Sequence, residues 1–270
     1  IYALSASGVS LIAGLMRVIN FAHGEFYILG GYVSYQLSAK AGVPVPLAMA
    51  GSILIIFFLG LVIERLMIRR TYGDSMSSLI ITFVLAIVLQ NSALLLFGPY
   101  PCKPPDFVSG VVHLPLNIDF GLERLLAGVL SLIFFGLLYF VIKKTWFGKS
   151  VRAVAQDAQA AMLMGVDSIR INSVAFALGT AMAATAGVIL SPIFPVTPSS
   201  STPISLAAFV AVVLGGMGSL RGSLVAGLGL GIVESVATGY GSPAYGQVFT
   251  FILLIVGLLV RPSGLYGSRV

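Results

Sequence analysis

The sequence predicts an all-α, polytopic helical membrane protein of roughly eight transmembrane segments, some short or broken, with one polar helix outside the lipid. Three observations carry this. Of 270 residues 58% are hydrophobic and only 9% charged, against about 25% charged in a soluble domain. Apolar runs fill almost the whole length and leave no room for a separate soluble domain, so residues 1–270 read as a single domain. The runs are continuous rather than alternating, and a chain in lipid that must satisfy its own backbone then does so as helices.

Taken in order, apolar segments fall at 1–16, 26–39, 45–64, 76–97, 124–142, 169–191, 204–220, 223–240 and 245–260. Several are short, which suggests broken or re-entrant pieces packed against protein. Ile1 already lies in an apolar run without a basic leader, so no cleavable signal is read there. The numbering is expected to begin inside the first helix or just after a leader. The lone Cys102 excludes an intrachain disulfide and a cysteine-based metal cluster.

Lys and Arg set the orientation. If the segments alternate, every basic residue except Lys40, Lys103 and Arg124 falls on one side. By the positive-inside rule that side is cytoplasmic, and the net charge of +6 reflects topology rather than nucleic-acid binding. The opposite face holds Gly98 to Glu123 and Pro192 to Pro203. Their prolines preclude long helices, with room for a short surface helix in the first, and both could be plain connectors or a docking surface.

Polar residues at membrane depth are the candidate functional groups. RVINFAHGEF, Arg17 to Phe26, places Asn20, His23, Gly24 and Glu25 between apolar segments. It can be a structural turn, with Gly24 relieving backbone strain and Asn20 and His23 bonding freed backbone groups. Direct substrate contact and proton handling are the other readings. A zinc site fails, because no second histidine lies nearby and His113 falls in the opposite loop. Glu234 could serve a proton relay, snorkel, or bond a neighbouring helix; Gln90 and Asn91 read as groups joining helices. Ser219, Ser223, Gly227 and Gly231 continue to Ser235 and Gly239 at four-residue spacing, with Gly218, Gly222 and Ala226 alongside, as close helix packing in lipid requires.

Lys149 to Arg170, KSVRAVAQDAQAAMLMGVDSIR, is the longest polar interruption and reads as a short amphipathic helix, capped by Ser150 and ended by Gly165. Val151, Val154, Ala155, Ala158, Ala161, Met162 and Gly165 fall on its apolar face. Gly148-Lys149-Ser150 is not a phosphate-binding loop, because Lys143 stands where such a loop needs its first glycine. There is no nucleophile elbow or histidine-rich pattern either, so no catalytic residue, bound cofactor or metal is assigned.

Three stretches point together to a family. GLMRVINFAHGEFYILGGY (14 to 32), VRAVAQDAQAAMLMGVD (151 to 167) and LGGMGSLRGSLVAGLGLGIVES (214 to 235) closely resemble the signatures of LivH-type permeases, which import branched-chain amino acids. Gln159-Ala160-Ala161 followed by Gly165 is similar to the E-A-A-x-x-x-G pattern of importer permeases, with glutamine in place of glutamate. The resemblance implies that the loop at about 149–168 is a coupling helix that docks on an ATPase, through Arg152, Gln156, Gln159, Ala160, Ala161 and Gly165. It implies Asn20, His23, Gly24, Glu25, Gly215, Gly216 and Gly218 as pathway or gating candidates. Implied partners are a second, homologous permease chain, two ATPase subunits holding ATP and Mg, an extracytoplasmic substrate-binding protein and the lipid of a bacterial inner membrane. Leucine, isoleucine and valine are the expected substrates, with urea, short amides or aromatic acids as alternatives in the same class. Selectivity is expected mainly in the binding protein, the permease being a permissive gate. A proton-coupled secondary transporter using His23, Glu25 or Glu234 is the alternative from another class, and a passive channel a third.

Overall fold

The computed structural model describes residues 1–108, 110–114, 118–240 and 243–267. Among these the chain forms α1 (Tyr2–Met16), α2 (His23–Tyr35), α3 (Val45–Leu66), α4 (Ser75–Phe97), β1 (Val111–Leu114), β2 (Ile118–Gly121), α5 (Leu122–Lys144), α6 (Trp146–Gln156), α7 (Ala158–Leu163), α8 (Ser168–Leu190), α9 (Ser201–Gly215), α10 (Leu220–Tyr240) and α11 (Pro243–Val260). Six helical stretches are long and apolar enough to cross a membrane: α3, α4, α5, α8, Pro198–Gly215 and α10. Tyr2–Met16 and Tyr245–Val260 are apolar but shorter. This is a multi-pass helical membrane protein.

Helix α8 is the axis. Of its most apolar stretch 78% is buried, against 17% for α4, because small residues recur on every side of it, from Ala175 through Gly179, Ala183 and Ala184 to Gly187. Without a hydrophobic drive between helices in lipid, association relies on close backbone approach. A Cβ at Gly187 would overlap the Tyr27 carbonyl of α2, and one at Gly30 would lie 2.7 Å from Ala184 Cα. Helices α1 and α3 meet α8 at Gly8 and Gly60 in the same way, against Gly179 and Thr180.

The small-residue rows of α10 divide between two neighbours. A Cβ at Gly227 would meet Ala3 Cα at 2.5 Å and Gly231 lies nearest Tyr2, both against α1, while Ser223 is fully buried. Ala226 packs with Ala208, Ala211 and Val212 of α9. Ser219 lies outside this row of contacts: its hydroxyl accepts from Gly222 N (3.1 Å) at the start of α10. The segment expected at 204–220 therefore ends at Gly215, where Gly216 (φ 97°) and Gly218 (φ 83°) take left-handed conformations that turn the chain.

The ends sort as the basic residues require. Arg69 Nη2 donates to Glu64 (3.2 Å) and to Ser173 (2.9 Å), which joins the end of α3 to the start of α8. Arg221 Nε donates to the Tyr139 hydroxyl (3.0 Å), near Lys143, Arg152 and Gly14. Arg17 leaves α1 at that end, whereas Lys40, Lys103 and Arg124 lie at the other. Arg269 lies outside the described residues.

On the outer side, Gly98 to Glu123 contains a two-stranded antiparallel hairpin, with Val111 opposite Gly121, where a short surface helix had room. Cys102 N donates to Val196 O (3.0 Å) and Val196 N to Cys102 O (2.9 Å), which ties the two proline-containing loops together.

Candidate functional site

Two helical paths are interrupted side by side. Between α1 and α2 the chain turns at Arg17 (φ 54°), and α2 starts deep in the protein at His23 instead of near residue 26. Between α8 and α9 it turns through Ser191 to Ser200. The two starts touch: a Cβ at Gly24 would lie 2.9 Å from Ser205 Cβ and overlap the Ser201 carbonyl. Only glycine permits this approach of α2 to α9.

The polar residues of Arg17 to Phe26 divide into two roles. Asn20 Oδ1 accepts from Ala22 N (3.1 Å), and Asn20 O accepts from His23 N (3.3 Å), which satisfies backbone freed by the break. His23 is fully buried, and its Nε2 lies 3.0 Å from Ser5 O, so Nε2 donates to that carbonyl and fastens α2 to α1. His23 and Gly24 thus build the junction. Asn20 and Glu25 face a cavity.

That cavity has a volume of about 360 Å³, within the range of small-molecule sites. Asn20, Glu25, Gln90, Thr202 and Ser205 give it polar lining, while Val9, Ile19, Phe83, Ile87, Leu206 and Phe209 make apolar wall. Phe21 and Phe83 meet edge to face at 6.3 Å on its rim. Asn20 and Glu25 are only 4% and 5% exposed, yet Asn20 Nδ2 and Glu25 Oε2 have no hydrogen-bond partner. The Ser201 hydroxyl donates to Pro198 O (3.3 Å). Gln90 joins helices, donating to Pro198 O (3.2 Å), and also lines this space. Thr202 and Ser205 went unnamed in the sequence reading because nothing local shows that α9 begins beside α2.

The other candidates lie elsewhere. Glu234 lines a separate cavity of about 300 Å³ with Tyr2, Thr238, Gln247 and Thr250. Gly215, Gly216 and Gly218 form a tight junction at the end of the protein that holds Arg221. Gly215 meets Gly222, Gly218 meets Gly14, and Leu265 N donates to Leu214 O (2.8 Å) across Gly216. Asn91 donates within its own helix, to Ile87 O (2.8 Å).

The polar stretch is two helices rather than one. Asp157 (φ −151°, ψ 107°) breaks it and caps α7, accepting from Gln159 N (2.9 Å) and Ala160 N (3.0 Å). Thr145, not Ser150, caps α6, through Gly148 N at 3.2 Å; Ser150 lies inside α6 and donates back to Trp146 O. Gly165 (φ 84°) does end α7, with Val166 N donating to Ala161 O (3.0 Å). The bend splits the expected apolar face. Val151, Val154 and Ala161 are buried in this chain, whereas Ala158 and Met162 are exposed. Arg152 turns inward and donates to Ile142 O, an end carbonyl of α5. Exposed on this lobe are Gln156, Gln159, Ala160 and Gly165, and with them Met162 (51%), Leu163 (89%) and Met164 (85%).

On the outer side, Lys103 lies 2.9 Å from Asp106, and this hydrogen bond raises its pKa above the ordinary lysine value. Among the described residues no three His, Cys, Asp or Glu side chains gather as metal ligands would.

The family model described as "Branched-chain amino acid transport system / permease component" matches residues 1–258. The chain belongs to this permease family. The high-affinity branched-chain amino acid transport system permease protein LivH of Escherichia coli K12 is 35% identical over 98% of this chain and 91% of its own length. LivH of Salmonella typhimurium LT2 and BraD of Pseudomonas aeruginosa, described in the same terms, are each 34% identical over the same shares. No solved structure matches. The likeness read from three stretches thus extends over nearly the whole permease chain, the interrupted helices and polar lobe included.

Proposed function

We propose that this chain is the membrane-spanning permease subunit of an ATP-binding cassette importer for branched-chain amino acids, in a bacterial inner membrane. One observation carries the substrate class: the cavity between the interrupted helices combines aliphatic and aromatic wall with a carboxylate and an amide. That is the chemistry of a zwitterion with an apolar side chain. The relatives named for branched-chain amino acid transport point the same way.

The α6–α7 lobe is the ATPase-docking lever. Gln156, Gln159, Ala160 and Gly165 offer polar and close-approach surface, and Met162, Leu163 and Met164 form an apolar knob that water does not favour. Arg152 and Ala161 act from behind, by fixing the lobe to α5 and to the core. The assembly pairs this chain with a second permease, two ATPases that hold ATP and Mg, and an extracytoplasmic binding protein. Gly215, Gly216 and Gly218 form the hinge at the cytoplasmic end of the pathway.

The test is reconstitution of the co-purified complex in proteoliposomes. Leucine uptake that requires ATP and the binding protein is the expected result. Uptake driven by a pH gradient without ATPase subunits would overturn the reading, and urea or short-amide uptake in place of leucine would reassign the substrate.

A further inference from the structure

The cavity contains more than a permissive wall requires. Glu25 lies about 15 Å along α2 from Tyr35, at about 1.5 Å per residue, and is 95% buried by the measure of its 5% exposure. A carboxylate at that depth is costly unless it is paired. Among the described residues no Lys or Arg lies on the cavity. Glu25 Oε2 and Asn20 Nδ2, an amide donor, are both buried without a hydrogen-bond partner. One acceptor and one donor are therefore orphaned on two residues that line one cavity, which Phe83, Ile87 and Phe209 also line.

We propose that this is a recognition subsite within the permease, where Glu25 receives the α-ammonium group of a zwitterionic amino acid and Asn20 Nδ2 donates to its carboxylate. The aliphatic side chain of the ligand then lies against the apolar wall. This rests on the permease reading above and deepens it: the permease itself reads the ammonium group, so discrimination is not left to the binding protein alone. Uncharged amides and urea lack the cation that offsets the buried carboxylate, and acids without an amino group add a second anion beside it.

The experiment places the purified permease in nanodiscs and measures saturation-transfer NMR from leucine, alongside ATP-dependent leucine uptake by the reconstituted complex. The parent protein is expected to show a leucine signal that valine competes away and that 4-methylpentanoate, which lacks the ammonium group, does not. Glu25→Gln preserves shape and removes the charge, and is expected to lower both signal and uptake at least about tenfold, the scale of a lost charged hydrogen bond. Glu25→Asp should recover part of each. Ala86→Phe narrows the cavity without touching the carboxylate and should abolish the signal, which keeps the proposal testable if Glu25→Gln does not fold. Equal competition by 4-methylpentanoate, or an unchanged signal in Glu25→Gln or Ala86→Phe, overturns the subsite. A parent that shows no ATP-dependent uptake of any amino acid defeats the permease reading instead, and the two failures remain distinguishable.

Discussion

Replacing Gly187 by alanine adds one methyl group at the tightest contact between α2 and α8. The new Cβ would overlap the Tyr27 carbonyl oxygen and lie 2.8 Å from its carbon and 3.2 Å from Tyr27 Cα. These are backbone atoms in the middle of a helix, so no rotamer change relieves them, and α2 must move away from α8 by about 1 Å to restore ordinary contact. Overpacking of this kind costs about 1–3 kcal/mol, and the rigid obstacle points to the upper end. Alanine's better helix propensity returns at most about 1 kcal/mol. A net loss of about 2 kcal/mol is expected, seen as a melting temperature lower by about 4–8 °C in detergent. Gly136→Ala in α5 is the control, because its Cβ would meet nothing within 4 Å and should gain up to about 1 kcal/mol. If Gly187→Ala melts at or above the parent while Gly136→Ala behaves as stated, the close approach of α2 to α8 does not limit stability, and the packing argument fails.

Three further outcomes concern the polar lobe and the end of the protein that carries it. Leu163→Asp and Met164→Asp change side chains that are 89% and 85% exposed. The melting temperature of the permease alone should therefore stay within a degree or two, within about 0.5 kcal/mol, while ATPase subunits no longer co-purify or hydrolyse ATP without transport. Asp157→Ala removes the cap from two backbone N–H groups of α7, a loss of about 1 kcal/mol confined to that short helix. Hydrogen exchange should rise over residues 158–164 and not in α8. Glu64→Ala strands the Arg69 guanidinium and the Tyr72 hydroxyl that both donate to it, and should lower the melting temperature by several degrees and expose residues 65–74 to protease. Glu64→Gln, which keeps an acceptor, should fall between that variant and the parent.

Helix type and the multi-pass membrane character were legible from composition and hydropathy, because those signals sum over many residues. The cavity was only half legible. Asn20 and Glu25 stood out as polar groups at membrane depth, but Thr202 and Ser205 look like ordinary residues at the start of an apolar run. Only the meeting of two interrupted helices, through Gly24 and the Ser201 carbonyl, gives them a shared purpose. The polar lobe failed in a different way. A periodic pattern assumes one straight helix, whereas Asp157 ends one helix and caps the next. Ala158 and Met162, which that pattern puts on the apolar face, are exposed, whereas Ala161 on the same face is buried.

The same packing that hides α8 from lipid dictates how the two ends of the protein can be linked. The polar lobe continues into α8 at Ser168 with Asp167 as its cap, and Arg170 N donates to the Asp167 carboxylate at 3.1 Å. Beyond that, α8 meets α1, α2 and α3 through glycines and alanines whose backbones are already in contact. Such contacts have no slack for side chains to absorb a displacement, so a shift of α8 along its axis has to carry α2 with it or break the Gly187–Tyr27 contact. Because α2 carries Glu25 in its first turn, the cavity changes shape whenever that contact holds. Interfaces of this kind are bistable rather than compliant, which is what a gate between two faces of a membrane requires.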